Sequence, residues 1–77
     1  MKNRVTVTIA DEEYTLVGSE EPSYTKKVAA HVDEKVREIM EGSGVSQVQG
    51  AILAAVNIAD EYFKEVETAE NLRRQLK

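Results

Sequence analysis

No cysteine and no tryptophan occur in the 77 residues, and histidine, proline and phenylalanine appear once each. Without cysteine there is no disulfide and no thiolate metal site. A single imidazole leaves a zinc centre short of ligands, so neither a metal nor another cofactor is expected. No long hydrophobic run is present. The longest, residues 51–59, is interrupted by Asn57 and falls far short of the ~20 residues of a membrane span. Met1-Lys2-Asn3-Arg4 leads into an alternating run rather than the apolar stretch of a signal peptide. The expectation is a soluble cytoplasmic protein with no membrane partner. An excess of positive charge is also missing, because the net charge is −4 with 31% of residues charged. Nonspecific nucleic-acid binding needs clustered cations to release counterions, and no aromatic–basic strand face is present, so no nucleic-acid partner is expected. A catalytic constellation is equally absent. Gly42-Ser43-Gly44 is not followed by the Gly-Lys-Ser/Thr of a phosphate loop. Glu12-Glu13 and Glu20-Glu21 have no pocket-forming context for paired-carboxylate chemistry. The chain is not expected to be an enzyme.

What is present is a long helical pattern. Ser46 and Gln49 have the spacing of a capping box, and from there to Lys77 there is no proline and only Gly50 among glycines. Val48, Ile52, Ala55, Ala59, Tyr62, Val66, Ala69 and Leu76 follow in alternating steps of four and three, with Arg73 at the one place that breaks the run. That is a heptad seam. A helix over this stretch would run roughly 45 Å at ~1.5 Å per residue, and the rest of the chain is too small to cover it. Domains of this size bury only about 60% of their unfolded surface. With no disulfide, association with another copy is the remaining staple.

In chain order, Val5, Val7 and Ile9 alternate with Thr6, Thr8 and Ala10, and Tyr14 and Leu16 alternate with Thr15 and Val17. Period two predicts a hairpin over residues 4–18, with Asp11-Glu12-Glu13 as its polar break. Ser19-Glu20-Glu21-Pro22 reads as a helix entrance. Tyr24, Val28, Val32, Val36 and Ile39, widened by Ala29 and Met40, predict an amphipathic helix over about residues 20–41, ended by Gly42-Ser43-Gly44. The second helix, from residue 47, is apolar on nearly all sides up to Ala59. It is therefore expected to touch its own hairpin and first helix on one side and a partner chain on another. From Asp60 onward charges surround the seam. The expected class is α+β: a head over residues 1–59 and a coiled-coil stalk over 60–77.

Several residues are candidates for recognition. Lys26, Ala30, Asp33 and Arg37 lie close together on the first helix, with Lys27 beside them and Arg4 on the hairpin. Asp33 and Arg37 are spaced for a helical ion pair. The cations form either a steering surface or an ordinary solvated face, and small Ala30 leaves a flat spot among them. Asn57, inside an apolar run, reads as a structural amide satisfying head backbone groups, beside a partner-facing alternative. His31 reads as a boundary packing residue rather than a pH switch.

Three segments together resemble the ZapA family of bacterial cell-division proteins. They are Val7-Thr8-Ile9-Ala10-Asp11-Glu12-Glu13-Tyr14-Thr15-Leu16, the helix from Ala29 to Ile39, and Ala54-Ala55-Val56-Asn57-Ile58-Ala59. Where the family usually has glycine in the hairpin turn, this chain has Asp11, a residue able to enter left-handed geometry. The resemblance implies a head-and-stalk dimer that pairs into an antiparallel tetramer, binds FtsZ filaments and bridges them at the mid-cell division ring. It makes Arg4, Lys26, Lys27, Ala30 and Arg37 candidate FtsZ contacts. Periodicity alone equally fits a generic coiled-coil adaptor for another cytoplasmic protein.

Overall fold

A computed structural model describes residues 2–76; Met1 and Lys77, the ends of the expected head and stalk, lie outside the described residues. Four elements follow in order: β1 (Asn3–Ile9), β2 (Glu12–Gly18), α1 (Pro22–Ser43) and α2 (Gln47–Gln75). The strands pair antiparallel with Val5 opposite Leu16, Val7 opposite Tyr14 and Ile9 opposite Glu12. The turn is shorter than the expected polar break. It consists of Ala10 and Asp11 alone, while Glu12 and Glu13 belong to β2. Both turn residues have positive φ, 50° and 68°, as a type I′ turn demands to match the twist of the strands. Asp11 tolerates this geometry; Ala10 does so only at a steric cost.

Helix α1 begins at Pro22, two residues later than expected, and Ser19 is not its cap. Glu21 occupies the cap position in extended geometry without a side-chain cap bond. Proline explains the delay, since its ring holds the preceding residue out of the helical region. Gly44 ends the helix at φ 64°, its N–H donating to the Met40 carbonyl, so α1 continues through Gly42 and Ser43. At the start of α2 the reciprocal capping box of Ser46 and Gln49 is formed.

Helix α1 lies against β1, where Ala29 packs on Val5 and Val7. Helix α2 turns back along α1, burying Gly50 and Ala54. Contrary to expectation, α2 does not pack broadly on the hairpin; its hydrogen bond to it runs from Gln47 Nε2 to the Ala10 carbonyl at 3.0 Å. Nor is the apolar half of α2 buried all round, because Ile52, Leu53 and Val56 stay exposed. The shape gives the reason. The extents are 47 × 40 × 14 Å, so the molecule is little more than one helix of ~10–12 Å thick and every element keeps an open side.

Close approach of the two helices depends on Gly50. A Cβ there would lie 2.9 Å from Met40 Cγ. Gly50→Ala should therefore destabilise the chain by about 1 kcal/mol, overpacking of ~1–3 kcal/mol outweighing a helix-propensity gain of ~1 kcal/mol. In a Met40→Ala background the same substitution should stabilise. Paired denaturant titrations check the change of sign.

Candidate interaction surfaces

The α+β head carries an ionic latch. Asp33, on α1, faces the hairpin turn, and its Oδ1 accepts from the Ala10 N–H at 2.7 Å. Arg37, one turn on, donates from Nε to both Asp33 oxygens at 3.0 Å and from its terminal nitrogen to Asp11 Oδ1 at 2.9 Å. The spacing of Asp33 and Arg37 showed the helical pair; it did not show that the pair grips the turn. The Ala10 N–H, with the guanidinium behind it, holds the Asp33 carboxyl below its ordinary value against the opposing push of desolvation. Arg37 is thus engaged within the head.

The other cations are differently placed. Arg4, Lys26 and Lys27 are exposed and take part in no ion pair among the described residues. Lys26 and Ala30 border a shallow groove beside β1 with Thr6, Thr8 and Asp33. Lys27 lies instead toward the cleft between the helices, with Tyr24, Val28 and Ile58. The five candidate contacts are therefore divided: Lys26 and Ala30 share a groove, Lys27 turns from it, Arg4 sits on the strand and Arg37 is held by the turn.

A second ionic cluster ties the middle of α1 to α2. Glu61 receives Lys35 Nζ at 2.7 Å and lies 3.1 Å from His31 Nε2. Lys35, then His31, hold the Glu61 carboxyl below its ordinary value, while Glu61 in turn raises Lys35. His31 is exposed at the edge of the cleft between the helices, beside Val28 and Ile58, and meets Glu61 there.

On α2 the heptad residues point away from the head. Val48, Ile52, Tyr62 and Leu76 are between 62% and 86% exposed. Ala55, Ala59 and Ala69 are exposed and Val66 is half-buried. The open apolar surface is wider than that line. Val56 and Phe63, 60% and 63% exposed, add a second register through Ile52, Val56, Ala59, Phe63 and Val66, and the Tyr62 and Phe63 rings meet edge to face at 5.3 Å. Phe63 went unread in the sequence, although its steps of four and three from Ile52 were there to be counted. Asn57 is exposed too. No hydrogen bond among the described residues joins its amide to the head, as the structural reading required. Among the described residues no helix is long and apolar enough to cross a membrane.

A family model described as "Cell division protein ZapA" matches residues 5–77. A protein of that description from Geobacillus kaustophilus is 47% identical over 99% of this chain and 85% of its own length. One from Bacillus subtilis is 40% identical, over 99% and 91%. Among solved structures, a ZapA mutant dimer from Geobacillus stearothermophilus is 44% identical with a TM-score of 0.76, covering all of this chain and 91% of that one. A structure described as an unknown conserved bacterial protein from Pseudomonas aeruginosa is 28% identical with a TM-score of 0.70, over 96% and 92%.

Two outcomes follow from these surfaces. Carboxyls held below their ordinary values stabilise the fold fully at neutral pH, and the contribution disappears as pH falls through the folded-state values. The melting temperature should hold from neutral pH down to the ordinary carboxylate range and fall below it. Asp33→Asn should flatten part of that fall in melts at fixed protein concentration. Separately, Phe63→Asp should shift light-scattering mass toward smaller species as strongly as Ile52→Asp does, whereas Lys64→Asp should leave it unchanged.

Proposed function

The chain belongs to the ZapA family of structural cell division proteins, and from that premise we propose that it binds FtsZ filaments through its head and bridges them by associating with itself. The observation that carries this reading is the apolar surface of α2. An uncovered stripe spanning two heptad registers is broader than the seam of a simple two-stranded coil. Such width suits a helix that contacts more than one neighbour, as a dimer joining into an antiparallel tetramer requires. The similarity to a structure described as a ZapA mutant dimer supports the first of these steps.

In this reading residues 1–59 act as the head and 60–77 as the stalk, with heads carried at opposite ends of the assembly. Each head contact is weak. Bridging becomes effective because linked heads bind at high effective concentration along a filament. The chain performs no chemistry, and its place of action is the division ring in the cytoplasm. Lys26 is the head cation best suited to touch an acidic polymer, being exposed and without an ion pair among the described residues.

Co-sedimentation with GTP-polymerised FtsZ from a matching bacterium, with electron microscopy of the pellet, tests the reading. Bundled filaments are the expected result, and Phe63→Asp should co-pellet without bundling. Lys26→Glu should reduce co-pelleting with the oligomer unchanged. Arg37→Glu should lower the melting temperature as well, because it opens the turn latch. Absence of the wild-type chain from the pellet, with its oligomer intact, would refute FtsZ binding.

A further inference from the structure

We propose that the free edge of β1, over residues 4–8, accepts an extended acidic peptide segment as a third strand of the sheet. Across a two-residue hairpin turn the flanking residues, Ile9 and Glu12, form the closing hydrogen-bonded pair. Hydrogen-bonded and non-bonded pairs then alternate along an antiparallel ladder. Asn3, Val5, Val7 and Ile9 therefore turn their backbone groups toward β2, and Arg4, Thr6 and Thr8 turn theirs outward. Ala10 confirms the direction, since its N–H reaches Asp33 and its carbonyl receives Gln47.

The edge is thus closed at one end and open along the rest. Both outward groups of Ala10 are taken up by the helices. No backbone bond among the described residues engages the outward groups of Arg4, Thr6 or Thr8. Unpaired edges of this kind are templates for another strand. Room exists beside them, in the groove bordered by Thr6, Thr8, Lys26 and Ala30, where the small side chain of Ala30 keeps α1 low.

Charge selects the occupant. The chain as a whole is acidic, at −4, yet the exposed side chains along this edge include Arg4 and Lys26, both outside any ion pair among the described residues. Asp33, the acid at the groove's end, is neutralised by Arg37. A second copy pairing antiparallel through its own β1 edge, centred on Thr6, would bring the two Lys26 side chains to one seam, which like-charge repulsion opposes. An acidic strand meets cations and open hydrogen-bonding groups together. For the identity of its natural partner the inference rests on the filament-binding reading above; the chemistry of the edge does not.

The test is amide hydrogen exchange by NMR on the full chain, with a short synthetic peptide alternating valine and glutamate as the probe. A peptide with lysine in place of glutamate is the control. The glutamate peptide should slow exchange at the Thr6 and Thr8 amides in the assembled protein, and the lysine peptide should not. Thr6→Pro removes one outward donor at a position where an edge strand accepts proline, and it should weaken binding about tenfold, the loss of one hydrogen bond. Lys26→Glu, which leaves the backbone untouched, should weaken binding as well, so a folding defect in the proline variant does not decide the matter. Protection at Thr15 and Val17 instead, or no protection, would overturn the proposal. Protection of Thr6 and Thr8 already in the free protein would overturn it too, assigning the edge to a second copy. Wild-type co-sedimentation with FtsZ is scored separately, so failure of the edge and failure of filament binding are told apart.

Discussion

Burial is the scarce quantity in this molecule. Its buried core among the described residues is Val5, Val7, Ala29, Val36 and Ala54, with no side chain larger than valine. Fully burying a valine contributes on the order of 1.5–3 kcal/mol, and ordering each residue costs roughly 1–2 kcal/mol in backbone entropy alone. Thirteen large apolar side chains among the described residues meanwhile remain exposed, far more than a solitary soluble domain presents in connected patches. The same shortage accounts for the thin, open outline and for the small residues where elements meet. Glycine and alanine let α1 and α2 approach closely, and the larger side chains of the helices stay on open surfaces.

With so little apolar packing inside the head, polar contacts carry more of its definition. The Asp33–Arg37 latch fixes the hairpin turn on α1, and Gln47 fixes the same turn to the start of α2. Ala10 adopts its unfavourable left-handed conformation where the side chains of Asp33 and Gln47 hold its two backbone groups, as strained backbone does when its surroundings over-determine it. Glu61 does a comparable task farther along, joining Lys35 and His31 across the helix pair. These are exposed or half-exposed interactions, each modest alone. Their worth lies in setting which apolar faces stay outward and aligned for association.

The elements whose signals are local were legible. Alternation placed β1 and β2, the capping box placed the start of α2, and glycine at the end of α1 had a mechanical reason to be there. The beginning of α1 was misplaced because Ser19 and the two glutamates resemble a cap, while Pro22 delays the helix by acting on the residue before it. The turn was drawn too long because alanine gives no hint of positive φ; only the register of Val5 against Leu16 reveals it. Interaction surfaces were harder. Arg37 reads as one half of a helical pair with Asp33 until Asp11, distant in sequence, is brought beside it. Asn57 reads as a buried amide because its neighbours are apolar, yet the residue itself and Val56 beside it are exposed. Phe63 was hidden by its neighbour Tyr62, which satisfied the first register counted.

Among the described residues the main packing partners are neighbours along the chain or one element removed: β1 with β2, β1 with α1, α1 with α2. Chains with such local contacts form their structure quickly, since little loop-closure entropy stands in the way. Meeting a second chain, by contrast, is a bimolecular event whose speed depends on how many copies are present. Newly made protein would then acquire its local shape well before it finds company, and the time to a working assembly would be set by expression level. Doubling the supply would shorten that wait without changing a single contact inside the head.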